Sequence, residues 1–520
     1  MLSRLRCIHR ARRSFTSLST LPSTIKDVLS KPPPDENGYT SPSTVYGWVK
    51  SVRRQKKVSF AVINDGTTLK GLQAVFLHPN GEQNTSLRNL VTGASVRLTG
   101  RLIESPGKGQ ERELQVEDVQ ILGECDPETY PIQKKDHSVE FFREHVHLRP
   151  RTTSVGVMLR VRDKLSRGFN EWYQTAGFIY SHPPILTGND CEGGGETFRV
   201  SLDTDITTAE HPQRPIRPTT PLMATPEPTS AYLTVSTQLH LEALAASLAR
   251  VYTIAPAFRA ERSQTNRHLN EFWMLEAELS FLPTGLDGVC DVVEVSLKSV
   301  LGNLAKDEDV KYLRESSSSA PSDEHINAWL DPAIRWRRVT YSDALELLEA
   351  HHLSGAEPKF KHPPPKWGEG FRSEHERWIA GALGRSETGA QVEGPVFVTH
   401  YPRQMKPFYM WVDDADPIGL ESAAADSRET VACFDLLVPK LGELTGGSVR
   451  ESRLEMLKES LALHGLSEAQ YSWYLDLRRY GTTPHGGFGI GFERLVSWFC
   501  GVESVRECIP FPRWAGKVVL

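Results

Sequence analysis

No apolar run in the 520 residues approaches the roughly 18–20 that a membrane-crossing helix needs, so no segment reads as spanning a bilayer. Cysteine is scarce and odd in number: seven residues, scattered and without a CxxC pair, which argues against structural zinc and a disulfide framework and for reduced thiols. A basic surplus is missing too. The formal net charge of −5 excludes a uniformly cationic coat, so any nucleic-acid contact must come from local clusters. Walker and Rossmann spacings, internal repeats and an evident Ser/His/Asp or Cys/His arrangement are likewise absent. What remains is ordinary: 39% hydrophobic and 24% charged residues describe a soluble globular chain long enough for two to four domains.

The N-terminus departs from that average. Residues 1–20 carry Arg4, Arg6, Arg10, Arg12 and Arg13 with Ser and Ala, and the first acid is Asp27. Arg-rich, Ser-rich and acid-free is the composition of a mitochondrial presequence; a basic RNA-binding tail is the rival reading. Cleavage within 14–24 would take the formal charge to −10 and deliver the protein to the mitochondrial matrix.

From 43 to 123 the pattern turns to short alternating runs, Val45–Val52, Val58–Asn64, Leu72–Leu77, Ser95–Leu102 and Leu114–Leu122, separated by turn residues such as Asn64-Asp-Gly66. Five such strands predict a small Greek-key barrel of OB type, a fold that stacks single-stranded bases on aromatics beside a cationic groove. Arg53, Arg54, Lys56 and Lys57 directly before Phe60 supply both ingredients. Residues 124–148, with Pro127 and Pro131, read as a hinge, and Met158, Val161, Leu165, Phe169 and Trp172 recur at helical spacing over about 155–175.

Farther on, VYTIAPAFRAERSQTNRHLNEFWMLEAELSF, from Val251 to Phe281, predicts two strands joined by a charged loop. Alternation places Arg259 and Glu261 on one side, and Phe272, Met274, Glu276 and Glu278 on one face of the returning strand. A guanidinium, a carboxylate and a flat ring above one sheet suit a nucleotide. A second stretch, His485-Gly-Gly-Phe-Gly-Ile-Gly-Phe-Glu-Arg494, has four glycines in seven residues, which would let a backbone approach a ligand closely, with Arg494 in the first turn of an apolar helix. Val396–Pro402 and Thr430–Leu437 read as buried strands. Loops are expected in the Pro- and Thr-rich stretch 203–230 and in 355–372, both read as insertions.

Together these stretches resemble motifs 2 and 3 of the class II aminoacyl-tRNA synthetases. Asp190-Cys-Glu-Gly-Gly-Gly-Glu196, Tyr232–Leu239, Arg267–Trp273, Gly446–Arg453, Trp473–Tyr480 and Ile509–Arg513 are similar to blocks of the asparaginyl subgroup in particular. The resemblance implies an α+β chain: an OB-fold anticodon-binding barrel, then, over 149–520, a catalytic domain with an antiparallel sheet flanked by helices. It implies ATP and Mg2+ as cofactors, asparagine and tRNA(Asn) as substrates, no membrane, and a homodimer through the helix and strand at 155–184.

It also implies roles. Arg259 would meet the α-phosphate and reacting carboxylate, Glu261 adenine or the tRNA end, Arg267 and His268 the outer phosphates, Phe272 the adenine and Arg494 the γ-phosphate, with Gly491 lining the nucleotide. Glu443 would hold magnesium with Asp435 nearby. Glu192, Ser236, Gln238 and Arg450 would hold the amino acid, and Phe60 and Gln73 the anticodon. The aspartyl relative carries a lysine where this chain has Leu241, which favours asparagine. An aspartate–tRNA ligase, or a non-catalytic tRNA-binding relative, stands as the alternative.

Overall fold

A computed structural model of the chain describes residues 21–30, 42–78, 87, 89–107, 109–133, 135–188, 197–200, 231–263, 265–384, 393–413 and 428–518. They form two compact units, one ending at Gly156 and one starting at Val157. The presequence expectation for 1–20, the stretch 203–230, Cys191 and Glu192 lie outside the described residues.

The first unit is a closed barrel of β1 (Ser43–Arg54), β2 (Val58–Asn64), β3 (Leu72–Leu77), β4 (Ser95–Glu104) and β5 (Arg112–Gly123), in the order β1-β2-β3-β5-β4. Alternate side chains fill it: Val45, Val49, Ala61, Ile63, Ala74, Val96 and Leu98 are buried in one cluster. A helix the sequence reading missed, α1 (Ile25–Leu29), adds Ile25 and Val28 to that cluster. Its signal was the Thr24/Asp27 capping box, and Asp65 accepts from the Ile25 N–H at 2.7 Å, fixing the helix to the β2–β3 turn. A short helix, α2 (Val139–Glu144), follows.

The second unit is built on α3 (Thr153–Thr175), a mostly antiparallel sheet and its flanking helices. Its remaining strands are β6 (Ile179–Tyr180), β7 (Leu186–Thr187), β8 (Arg199–Val200), β9 (Ala231–Leu233), β10 (Arg250–Phe258), β11 (Glu271–Ser280), β12 (Arg337–Thr340), β13 (Val396–Pro402), β14 (Thr430–Val438), β15 (Gly442–Val449) and β16 (His485–Gly491). The helices are α4 (Gln238–Leu248), α5 (Gly285–Leu304), α6 (Glu308–Glu315), α7 (Asp323–Leu330), α8 (Tyr341–Ser354), α9 (Ser373–Leu383), α10 (Leu454–Leu463), α11 (Ser472–Arg479) and α12 (Phe492–Cys500).

The eight-stranded sheet runs β12-β13-β14-β15-β16-β11-β10-β6. It is antiparallel from β13 to β10, but both edge pairings, β12 with β13 and β10 with β6, are parallel, so the sheet is mixed rather than wholly antiparallel. Helices α5 and α12 pack against its centre and α9 against β14 and β15.

Register decides what the centre of the sheet can hold. Met274, Glu276 and Glu278 of β11 stand opposite Gly491, Gly489 and Gly487 of β16. A Cβ on Gly487 would lie 2.0 Å from a carboxylate oxygen of Glu278, and one on Gly489 would lie 2.9 Å from the Met274 sulfur. These two glycines therefore make room for β11 side chains, a reason the sequence reading did not foresee. Gly491 differs: a Cβ there would meet only the Arg494 side chain, at ordinary contact distance, so its space opens to the cavity.

Candidate active site

Above this floor lies a cavity of about 280 Å³ whose lining includes Arg259, Phe272, Glu443 and Arg494 as well as Gln238 and Arg450. Two arginines 235 positions apart in sequence thus face one space.

At one end, the β10–β11 connection is closed by Asn270. Its side-chain amide donates to the carbonyls of Arg259 and Glu261 at 2.6 and 3.1 Å, and its own carbonyl accepts the Arg259 N–H at 3.0 Å. Arg259 and Glu261 lie just past the end of β10, in this connection rather than in the strand. The Arg259 guanidinium sits 5.6 Å from the centroid of the Phe272 ring, a cation over an aromatic face. Glu261 reaches the His268 Nε2 at 3.5 Å. Burial holds the His268 imidazole below its ordinary value, and Arg494, Arg267 and Arg259 push it the same way, so that ring stays neutral among guanidiniums. Arg494, in the first turn of α12, donates to the backbone carbonyl and the carboxylate of Glu443 at 3.2 and 3.3 Å. Arg267 is held from α9 by Ser373 at 3.0 Å and Glu376 at 3.2 Å.

Between the ends lies an acidic pair. Around Gly446, where the small residue leaves space, a Cβ would lie 3.5 Å from an Asp435 oxygen and 3.8 Å from a Glu443 oxygen. Glu443 is half-buried; desolvation alone would raise its carboxyl, but Arg494, Lys406, Arg267 and Arg259 hold it below the ordinary value. Asp435 is raised by burial and by Glu443, although the Lys406 ammonium donates to both of its oxygens at 2.9 and 2.8 Å. Lys406 was not foreseen, and its grip leaves Glu443 as the carboxylate more open to a cation. Among the described residues no group of three or more metal-binding side chains occurs. Magnesium is commonly held by one or two carboxylates with substrate phosphates completing its shell, and this convergent pair fits that mode.

The other end is a buried polar network. Glu276 accepts from the Thr237 N–H at 3.0 Å and from the hydroxyls of Ser236 and Thr237, so Ser236 faces the cavity with its hydroxyl already used. Arg450 grips Glu278 through two nitrogens, at 3.1 and 2.9 Å, and Ser448 at 2.6 Å through the third. Gln238 donates to Glu242 at 3.1 Å. Burial works against ionised Glu242, yet Arg478, His485 and Arg450 hold its carboxyl well below the usual range. Tyr474 and Arg478, one helical turn apart on α11, both reach Glu242. Leu241 lines the cavity while packing in a small core with Ala245 and Val251. Sequence reading had placed Glu276 and Glu278 on this face but gave them no role, and it missed Glu242, Lys406 and Glu376. The Tyr474/Arg478 spacing was the one available hint.

In the barrel unit, Phe60 is half-buried on β2, directly opposite Arg53 on β1. Gln73 stands opposite Val62, on the same face as Phe60, and donates to the buried Glu113 at 3.0 Å. Arg54 donates to the carbonyls of Leu87 and Leu90, whereas Arg53 is the ladder partner of Phe60.

The profile of tRNA synthetases class II (D, K and N) matches residues 138–515, and that of the OB-fold nucleic acid binding domain matches 43–122. The asparagine–tRNA ligase of Nostoc sp. is 41% identical over 496 residues, covering 94% of this chain and 97% of the relative. That of Protochlamydia amoebophila is 40% identical over 476 residues, covering 91% and 94%. Among solved structures, the asparaginyl-tRNA synthetase of Pyrococcus horikoshii complexed with asparaginyl-adenylate superposes with a TM-score of 0.76 at 27% identity, over 96% of this chain and 99% of that one. The Entamoeba histolytica asparaginyl-tRNA synthetase, also with asparaginyl-adenylate, gives 0.73 at 26% identity, over 92% and 96%. With a matching profile over most of its length and relatives this close, the chain belongs to the class II aminoacyl-tRNA synthetases, in the branch of the asparagine–tRNA ligases.

Proposed function

We propose that the protein joins asparagine to tRNA(Asn) at the expense of ATP, through an asparaginyl-adenylate. One observation carries this: a single cavity has guanidiniums and an aromatic face at one end and a neutralised polar network at the other. The reactants' chemistry fits it. The carboxylate of asparagine attacks the α-phosphorus, an oxygen–phosphorus bond forms, and pyrophosphate leaves. The terminal ribose hydroxyl of the tRNA then attacks the adenylate carbonyl and AMP leaves. The first attacking group is already an anion at neutral pH, so positioning and charge neutralisation are the main demands.

In this reading Arg259 meets the α-phosphate, Phe272 stacks on adenine, Arg267 and His268 meet the outer phosphates and Arg494 the γ-phosphate. Gly491 leaves room for the nucleotide, and Glu261 faces adenine or the tRNA end. Glu443, with Asp435 beside it, would hold magnesium, which when bound neutralises phosphate charge. Ser236 shapes the amino-acid end and Gln238 orients the substrate; Glu192 takes its α-amino group.

Charge favours asparagine over aspartate. Arg450 is already paired with Glu278, and Glu276 also lines the cavity, so the guanidinium a second substrate carboxylate would meet among the described residues at this end is already neutralised. A carboxamide can accept from Arg450 and donate to a carboxylate. Leu241, in place of an ammonium, adds no cation. ATP–pyrophosphate exchange with each amino acid tests this: asparagine should exceed aspartate by about 100-fold or more, and a preference for aspartate would overturn the assignment.

For the anticodon, Phe60 offers a stacking face beside Arg53, and Gln73 an amide on the same face. Losing a stacked base costs about 1–3 kcal/mol. Phe60→Ala should therefore raise the KM for tRNA by about 10–100-fold while leaving pyrophosphate exchange unchanged; an equal loss in exchange would refute the role.

Pairing of two copies is supported by the exposed Ile179, Ile185 and Leu186, on and after the edge strand β6. Sedimentation showing only monomer at micromolar concentration would count against a dimer. A mitochondrial location rests on the arginines of 1–20 alone, and a fluorescent fusion of that segment that stays outside mitochondria would remove the support.

A further inference from the structure

Helix α9 reaches the end of the cavity where Arg267 lies. Arg267, which lines the cavity, gives its Nη1 to Ser373 and Glu376 of α9, at 3.0 and 3.2 Å. Its Nε is buried and has no hydrogen-bond partner among the described residues. The guanidinium is thus held at one corner with donor capacity left over. The oxygen of Glu376 that takes Arg267 also accepts the backbone N–H of Glu443, at 3.4 Å. Gly442 permits this close approach. Its φ is +88°, and a Cβ there would lie 2.3 Å from that same oxygen. Helix α9 is itself packed on β14 and β15, the strands that carry Asp435 and Glu443. One carboxylate therefore ties the β10–β11 connection to the sheet that carries Glu443.

We propose that Glu376 is a positioning residue for ATP: it aims Arg267 at the outer phosphates and sets that arginine in register with Glu443. The inference rests on the ATP reading of Arg267 given above. The interaction is made before the nucleotide arrives, so it lowers the cost of ordering a long side chain on binding. It acts on the nucleotide and leaves the amino-acid end alone.

A double-mutant cycle in the full-length protein tests it, with steady-state exchange read separately for ATP and asparagine. Glu376→Gln keeps the shape and one acceptor but removes the charge. It should raise the KM for ATP about tenfold, with the KM for asparagine and the melting temperature nearly unchanged. Arg267→Ala should raise the KM for ATP by a similar factor or more. The double variant should be no worse than Arg267→Ala, because the carboxylate acts through the guanidinium. Should Glu376→Gln fold poorly, Ser373→Ala, which loosens the same corner, should give a smaller rise confined to ATP. If Arg267→Ala raises the KM for ATP but Glu376→Gln and Ser373→Ala do not, or if the effects multiply, the positioning role is overturned and the ATP reading survives. If Arg267→Ala leaves the KM for ATP unchanged, the ATP reading of Arg267 fails and takes the proposal with it.

Discussion

Arg259→Ala is expected to lower asparagine-dependent ATP–pyrophosphate exchange by about 10³-fold, with melting shifted by no more than about 3 °C. In the proposed role the guanidinium meets the charge that builds on the α-phosphate, and a fixed donor in a protein cavity is worth more than in water, so the rate loss is large. The stability loss is small because the half-buried side chain stands on the Phe272 ring rather than in a core cluster. The asparagine KM should change less than the turnover, as expected for an interaction made mainly in the transition state. Exchange that survives at a tenth of the wild-type rate would remove Arg259 from the reaction and require another cation in its place.

Arg450→Met should have the second largest effect, and on stability as well as activity. Arg450 is 3% exposed, bonded twice to Glu278 and 3.8 Å from Glu242. Removing it strands buried carboxylates, a change that costs about 3–5 kcal/mol and would lower the melting temperature by about 5–10 °C. Burial already raises the Glu278 carboxyl, against the pull of Arg450. Without the arginine it rises further. A carboxyl whose folded value exceeds its unfolded one binds more protons when folded, so between those two values stability grows as pH falls. The gap between Arg450→Met and the wild type should therefore be smaller at pH 5.5 than at pH 8, and a gap that widens on acidification would contradict the paired geometry. At either pH the variant should lose asparagine activation far more than ATP binding, because the proposed reading places the amino acid at this guanidinium.

Much of the fold was legible because its signals are local. Strands β2, β3 and β13 were read at their observed bounds, since alternation or a buried apolar run ends at Asn64-Asp-Gly66, at His78 and at Pro402. The β10–β11 hairpin was legible for the same reason, and alternation grouped Phe272, Met274, Glu276 and Glu278 on one face. What depends on register was not. The glycines of β16 read as an opening for a ligand, but Gly487 and Gly489 are explained by the side chains of Glu278 and Met274 across the ladder. No spacing in the sequence gives that pairing. Asp435 read as a carboxylate for a metal, and only the fold brings Lys406 onto it. Glu242 sits on a helix with no local sign of its partners, because His485, Tyr474 and Arg478 arrive from more than 230 positions away. Parallel edge pairing and the reach of α9 into the site are non-local in the same sense.

In the proposed reading Arg259 and Arg494 grip one bent triphosphate over the β11–β16 floor, with the amino acid at Arg450. A crystal structure of the protein soaked with asparagine and a non-hydrolysable ATP analogue tests it most directly. The expected result is adenine on Phe272, the α-phosphate at Arg259, the γ-phosphate at Arg494 and the carboxamide within hydrogen-bond reach of Arg450. A nucleotide bound outside this cavity, or a triphosphate in it that leaves Arg494 on Glu443 alone, would contradict the account.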